Sequence, residues 1–333
     1  MDCMTKPQLI VTTPIRNEAW ILEAFLTATS LWADRIILID QQSTDGSREI
    51  AQKFQKVTLL DNPYKEINMA ATRRILFQEV KKIQGDIILF TLDADEFWSG
   101  DFLHSAAWNK IITSEPGEIF DFYWMNLQPG GKTYTRGELP YDWVVHVDEH
   151  LWTGSYPDNY IHEPRMPWPS KVKKEHIIEV DDMALLHFAR YNGARQANKE
   201  RFYQISLMEK MKLSGVGMYR SYHDKEVKNV DYFTVPENAF CTYSQAGIDL
   251  PSLIRNDDIG EYYLSESRRI LQKDGTYKYH KLDIWSDEFC GLVGVANPTT
   301  WYDRLIHSYL RRTMSMRKSF IIRAIDKILK IWY

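Results

Sequence analysis

Residues 87–98 read IILFTLDADEFW, from Ile87 to Trp98. Five of the first six are apolar, with Thr91 the exception, and Asp93, Ala94, Asp95 and Glu96 follow at once. A short apolar run that stops at a cluster of carboxylates predicts a buried strand whose carboxyl end opens into a site. Strand alternation puts Asp93 and Asp95 on the same side. Hard oxygen ligands of this kind suit Mg2+ or Mn2+. The competing reading is a solvated turn whose acids cap the next helix, since a lone Asp-x-Asp triplet is a weak motif.

The preceding chain supplies context. Gln8–Thr13 (QLIVTT) reads as a first strand, and its end carries Pro14, Ile15, Arg16, Asn17 and Glu18. Apolar residues at helical spacing predict a helix over 18–29. Arg35–Ile39 is a second strand ending in Asp40-Gln41-Gln42-Ser43-Thr44-Asp45-Gly46-Ser47, with a helix over 45–55 capped by Thr44 or Asp45. Val57–Leu60 is a third strand, and 68–82 an amphipathic helix carrying Arg73 and Arg74. Strands alternating with helices predict an α/β fold with a mostly parallel, Rossmann-like central sheet covered on both faces. Ligands of such sheets lie beyond the carboxyl ends of the strands. Pro14–Glu18, Asp40–Ser47 and Asp93–Glu96 all fall there, and that convergence turns the reading of Asp93 and Asp95 towards a site.

No GxGxxG follows the first strand, and neither GxxxxGK[ST] nor GxSxG occurs. A dinucleotide dehydrogenase, a P-loop NTPase and a serine hydrolase of the α/β type are therefore disfavoured.

The succession TTPIRNE, LIDQQSTDGS and LDADEFW resembles family 2 glycosyltransferases with the GT-A fold, over about the first hundred residues. One departure is Gln41-Gln42, where that family often has an acidic residue and a Gly or Asn. The resemblance implies a nucleotide-sugar donor, most commonly UDP-linked, with Thr13, Pro14, Arg16, Glu18 and Asp40 around the nucleoside. It implies Arg73 or Arg74 near the base or diphosphate, although a solvated helix face explains that pair equally well. It also implies Asp93 on the donor ribose or sugar, and Asp95 on a divalent cation (Mn2+ or Mg2+) that neutralises the leaving diphosphate. Glu96 reads as support for the loop.

Glu118–Gln128 (EIFDFYWMNLQ) predicts one aromatic strand, and Pro129–Pro140 a polar, Gly-rich loop that suits a lid. Tyr141–Trp152 carries Asp142, His146, Asp148, Glu149 and His150, either as a wall of the acceptor cleft or as a strand with a polar outer face. His162-Glu163-Pro164, followed by Leu185-Leu186-His187-Phe188, is similar to a branch of family 2 that includes enzymes acting on lipopolysaccharide cores. That likeness implies that His187 completes the metal site; the plain alternative is a satisfied structural histidine. Inverting transfer needs one general base for the acceptor hydroxyl. Glu163 is the first candidate, with Glu149, Asp142 and Glu96 behind it, while a structural hydrogen bond before Pro164 also accounts for Glu163.

The rest bounds the setting. The chain has 333 residues, 44% hydrophobic and 26% charged, with a net charge of −4, so no nucleic-acid footprint appears. Cys3, Cys241 and Cys290 show no pairing pattern, which fits a reducing cytosol. No basic segment leading into a long apolar run marks a signal peptide, and no stretch approaches a transmembrane helix. A cytoplasmic protein, peripheral to the membrane at most, is expected. The sequence divides into a nucleotide-sugar-binding and catalytic domain, 1–214, ending in a long helix over 192–213, and a mainly helical extension, 215–333. Residues 218–300 suggest no chemistry. Trp301–Tyr333 is basic and amphipathic; its apolar face docks on its own core, on a second subunit in a homo-oligomer, or on an anionic membrane, here the segment 315–333.

The leading expectation is a metal-dependent, inverting glycosyltransferase with a glycan or lipid-linked glycan acceptor. A sugar nucleotidyltransferase would want a G-x-G-x-R loop after the first strand. A metal-dependent phosphohydrolase would want more ligands, and a non-catalytic sugar- or partner-binding protein would not need the acidic cluster.

Overall fold

Alternate residues of the strand at Ile87 face two different cores. The computed structural model, which describes residues 6–64, 68–147, 165–166, 172–211, 213–223 and 231–333, shows this strand buried at every position. Ile88 and Phe90 enter one apolar cluster and Ile87 and Leu89 another, so both sheet faces are covered. In chain order the first elements are β1 (Gln8–Ile15), α1 (Leu22–Thr29), β2 (Arg35–Asp40), α2 (Ser47–Ala51), β3 (Val57–Asp61), α3 (Met69–Val80) and β4 (Ile87–Thr91). β1 pairs in parallel with β2 and β4, and β2 with β3. Asn68 caps α3 by accepting from the Ala71 N–H.

After β4 come β5 (Glu96–Trp98), the helix α4 (Ala106–Ile112), β6 (Glu118–Phe122), β7 (Trp124–Leu127), β8 (Thr133–Arg136), β9 (Tyr141–Val147), β10 (Lys174–Ile177), β11 (Leu185–His187) and later β12 (Tyr232–Thr234). Among the described residues the main sheet has the order β10-β6-β9-β4-β1-β2-β3, with β9 the antiparallel strand. A second sheet runs β12-β8-β7-β11-β5. The α/β class with a mostly parallel sheet is as the sequence predicts.

Three local expectations are corrected. The aromatic run over 118–128 is two strands in different sheets, broken at Tyr123, whose carbonyl accepts from Leu185 N–H and so already belongs to the pairing of the second sheet. The Gly-rich stretch over 129–140 is no plain loop. Gly130 and Gly131, at φ +82° and +68°, turn the chain so that β8 pairs back on β7 as a hairpin. Finally, α2 stops at Ala51, where the Phe54 N–H bonds the Ala51 carbonyl and the chain turns towards β3.

The chain divides into two compact units, 1–191 with 232–256, and 192–231 with 257–333. The second is helical, with α5 (Gly193–Met211), α6 (Gly215–Tyr222) and further helices at Glu261–Asp274, Asp287–Val293, Trp301–Arg312 and Phe320–Trp332. Phe202, Tyr263, Leu271 and Phe289 are part of its core. Among the described residues, no helix is long and apolar enough to cross a membrane.

Candidate active site

The parallel strands β1, β2 and β4 deliver their carboxyl-end loops side by side. The first two loops are tied together by their own polar groups. Asn17 N–H donates to Ser43 Oγ at 2.8 Å, Thr44 N–H to Asn17 Oδ1 at 2.7 Å, and Glu18 N–H to Ser47 Oγ at 2.9 Å. Ala19 N–H donates to Asp45 Oδ2 at 2.9 Å. Asn17 and Gln42 take the left-handed conformation at φ +54° and +61°, which Asn tolerates and Gln does not favour. The strain at Gln42 falls where the resembled family often has Gly or Asn. Its neighbour Gln41 is buried and donates to Thr72 Oγ1 on α3 at 3.3 Å.

Asp40, fully buried at the end of β2, accepts from Ser43 N–H and from Arg48 Nη1 at 2.8 Å; Arg48 also bridges to Asp61 at 2.7 Å. The bond to Asp40 above all, and then that to Asp61, holds the Arg48 guanidinium above its ordinary pKa. Glu18 accepts from Trp20 Nε1 at 2.6 Å. Thr13 is buried in β1, and its hydroxyl has no hydrogen-bond partner among the described residues. Pro14 and Arg16, both half-buried, lie beside it.

The third loop carries the acids. Asp93 is held from two sides, by Arg165 Nη2 at 2.6 Å and by Arg73 Nη2 at 3.3 Å. Arg73, on α3, is itself buried, so it faces the acidic loop and not open solvent. Glu96 starts β5 and is wholly buried. It accepts from Asp93 N–H at 2.8 Å, Trp124 Nε1 at 2.8 Å, Trp143 Nε1 at 3.2 Å and Arg165 Nη1 at 2.7 Å. Four donors converge on one carboxylate, which makes Glu96 the brace of the loop and occupies the lone pairs a cation would need. Burial pushes its pKa up to about 7, with the Arg165 charge opposing and those of Asp93 and Asp95 adding to the rise. Burial also works against the Arg165 charge, yet Asp93 and Glu96 outweigh it and keep the guanidinium above its ordinary pKa. Arg165 further lies 5.4 and 5.2 Å from the ring centres of Trp124 and Trp143.

Pairing across the second sheet lines up Glu96 on β5, His187 on β11 and Asn126 on β7 in one row. Asn126 Nδ2 donates to Thr135 O at 3.3 Å, which turns its Oδ1 to His187 Nδ1 at 2.8 Å. An amide oxygen only accepts, so this network puts a proton on Nδ1 and makes Nε2 the ring nitrogen turned to the acidic loop. Nε2 faces Asp95 Oδ2 at 3.7 Å. That gap is long for a hydrogen bond, and the two side chains are the ones that would offer an oxygen and a nitrogen to a divalent cation here. Trp124 stacks on the imidazole at 4.7 Å and fixes the ring plane. Among the described residues no cluster of three or more His, Cys, Asp or Glu forms a full cage. Hard cations at nucleotide sites are commonly held by one or two carboxylates, with water and substrate phosphate completing the set, and an imidazole beside the carboxylate suits Mn2+ better than Mg2+. Asp95 and His187 are therefore the residues that would hold a cation here, with water and substrate supplying its other ligands.

The structure brings together Arg73, Asp93, Asp95 and His187, while Thr13 and Pro14 near the end of β1, Asp40 at the end of β2, and Arg16 and Glu18 in the loop after β1 lie at the neighbouring strand ends. Of the base candidates, Glu163 and Glu149 lie outside the described residues, and Asp142 is placed only by its backbone in β9, beside Asp121. Sequence reasoning missed Arg165, Arg48, Asn126 and the indoles of Trp124 and Trp143. Arg165 had one signal, its place two residues after Glu163 in a polar segment. A cavity of about 560 Å3 in the helical unit, lined in part by Arg201, His223, Asp283 and Arg304, contains none of these residues.

Among known proteins, no curated protein matches the chain. Similar solved structures include GalNAc-T7 with UDP, GalNAc and Mn2+, at 16% identity and a TM-score of 0.29, over 37% of this chain and 24% of that one. Another is 4-diphosphocytidyl-2C-methyl-D-erythritol synthase, at 11% identity and a TM-score of 0.28, over 58% of this chain and 79% of that one. The chain thus spans about a quarter of the length of the first. Residues 10–109, from β1 into α4 and including Asp40, Arg73, Asp93 and Asp95, match the family model described as Glycosyl transferase family 2.

Proposed function

We propose that the chain is a metal-dependent, inverting glycosyltransferase that moves a sugar from a nucleoside diphosphate donor, UDP-linked in this reading, to a hydroxyl of a glycan or glycolipid. The observation that carries the proposal is Asp95, at the end of a buried parallel strand within the segment that matches family 2, beside Nε2 of His187 at 3.7 Å. Around the donor, Thr13–Glu18 and Asp40 take the nucleoside, because carboxylate and backbone groups match its N–H and hydroxyl donors. Asp93, held by Arg73 and Arg165, is presented to the ribose or the sugar. When bound by Asp95 and His187, a Mn2+ or Mg2+ ion would neutralise charge on the departing diphosphate. In the transfer, the acceptor oxygen bonds to the anomeric carbon, the bond to the diphosphate oxygen breaks, and the acceptor proton passes to a base. Glu163 remains the first candidate for that base, then Glu149 and Asp142. The His187–Asp95 arrangement also supports the likeness to the branch acting on lipopolysaccharide cores, and with it a lipid-linked acceptor met at the cytoplasmic membrane face.

Incubation with a panel of nucleotide sugars and Mn2+ should release nucleoside diphosphate from one donor, and Asp95→Ala should abolish the release. Release that persists unchanged in Asp95→Ala would refute the metal assignment. Tight donor binding without release or transfer would favour a non-catalytic sugar-binding protein.

A further inference from the structure

The Phe320–Trp332 helix is held to its unit by one face only. Ile322 and Asp326 within it and Tyr333 just past its end are buried, one turn and then two turns apart on one face. Asp326 is clamped by Arg220, with Nε–Oδ2 at 2.9 Å and Nη2–Oδ1 at 3.0 Å, and accepts from Tyr309 Oη at 3.1 Å. Tyr333 closes the same face: its hydroxyl reaches Lys281 O at 3.2 Å and its carbonyl accepts from Gly215 N–H at 2.7 Å. The helix is therefore pinned at its middle and at its end.

Its other face is apolar and turned outward. Phe320 is 87% exposed, Ile321 70%, Ile328 60%, Ile331 76% and Trp332 74%. Six large apolar side chains in one sector, with Ile325 the sixth, are not packed on the protein's own core. Met316, in the turn just before the helix, is 52% exposed as well. Lys318, Arg323, Lys327 and Lys330 are exposed beside this sector. The one acid of the helix, Asp326, is turned inward and neutralised by Arg220. The outward surface thus offers hydrocarbon and cations and no anion. A second copy of the same face would bring cation against cation, which costs binding. A leaflet rich in anionic lipid supplies both complements, acyl chains for the apolar sector and negative headgroups for the cations.

We infer that this helix is an in-plane anchor that docks the protein on an anionic lipid surface. The apolar sector enters the boundary between headgroups and acyl chains, the lysines and the arginine lie at headgroup level, and the Arg220–Asp326 clamp keeps the helix from turning that sector back onto the protein. The inference does not depend on the transferase reading, and its test measures partition and not sugar transfer, so either can fail alone.

The test is flotation of the full chain with vesicles of phosphatidylcholine alone and with about a third phosphatidylserine. Floating with the anionic vesicles, weakened by about 0.5 M salt, is the expected result. Ile321→Glu with Ile328→Glu should weaken partition by about a hundredfold, roughly tenfold for each side chain withdrawn from hydrocarbon. Lys327→Gln with Lys330→Gln should weaken it about 25-fold on anionic vesicles, near fivefold for each charge, and leave neutral vesicles unaffected. All four positions are exposed, and an unchanged melting temperature shows that the variants fold. No flotation of the full chain, or equal flotation of the isoleucine variant, overturns the inference. So does a lipid-free dimer, seen by sedimentation, that the isoleucine substitutions dissociate, because the occupant would then be a second copy.

Discussion

Replacing Arg165 by Met tests whether the acidic loop is built as a braced unit. The substitution keeps the apolar stem and removes two short ion pairs, to Asp93 at 2.6 Å and to Glu96 at 2.7 Å. The two carboxylates lose unequally. Asp93 is about a third exposed (32%) and retains Arg73, so water and a second cation absorb most of its loss. Glu96 has no exposed side-chain surface. Breaking a buried pair by removing one partner costs about 3–5 kcal/mol, and Glu96, whose pKa burial raises to about 7, can relieve part of that by taking up a proton. Three other donors still reach Glu96, which places the expected loss at the low end, about 3 kcal/mol. The measurement is urea unfolding followed by tryptophan fluorescence, since the indoles of Trp124 and Trp143 bond the carboxylate directly; the slope with urea should not change. Combined with Glu96→Gln, the double variant should lose about 2 kcal/mol less than the two single losses added, as residues in contact do. A loss below about 1 kcal/mol, typical of surface pairs, or an additive cycle, would refute the brace.

Other outcomes follow from the same geometry. His187→Ala should remove most of the Mn2+ affinity measured in the presence of UDP, and Asn126→Ala, which only frees the imidazole, should cost about 10–100-fold; titration of free Mn2+ by its paramagnetic signal reads both, and unchanged affinity in either would detach His187 from the cation. In the helical unit, Asp303 caps the Trp301–Arg312 helix through Thr300 and pairs with His280 Nδ1 at 2.9 Å. Burial acts to raise its pKa, but the bonds from Thr300 and His280 prevail and lower it. A carboxylate depressed in the folded state stabilises above its unfolded pKa and loses that contribution as the pH falls. Asp303→Asn should therefore cost about 1–2 kcal/mol at pH 7 and approach wild type below about pH 4, as thermal melts across that range would show; a gap that widens in acid contradicts the assignment.

The parallel core was legible because its signals are local. β4 carries its apolar run, β1 and β2 carry theirs, and each ends in a polar cluster within a few residues. The alternation of strand and helix then fixes the direction of the sheet. Legibility fails where one apolar run serves two sheets. Nothing in EIFDFYWMNLQ marks Tyr123 as the break, because residues on both sides suit a strand equally and only the partner strands differ, β9 and β10 for β6 but β8 and β11 for β7. The β7–β8 hairpin was hidden for a related reason. Gly130 and Gly131 signal both a loose loop and a tight turn, and pairing across the turn decides between them.

The site divides along the same line. Aspartates at strand ends announce themselves, because the strand that positions them adjoins them in sequence. Their partners do not: Arg165 lies 72 residues from Asp93, Trp143 lies 47 from Glu96, and Asn126 lies 61 from His187. The last two depend on strand register that no local pattern encodes, and Arg165 comes from a bend outside the strands. The consequence is chemical as well as structural. Read alone, Asp93, Asp95 and Glu96 are three equivalent carboxylates. Within the fold, Glu96 is occupied by four donors, Asp93 is neutralised by two arginines, and Asp95 is left facing an imidazole nitrogen. The same three side chains thus stand in three different settings, a brace, an acid paired with arginines and, in the proposed reading, a cation ligand. What separates the roles is the non-local cations and indoles, so a substitution at Arg165 or Trp143 should alter this site as deeply as one in the Asp-x-Asp motif itself.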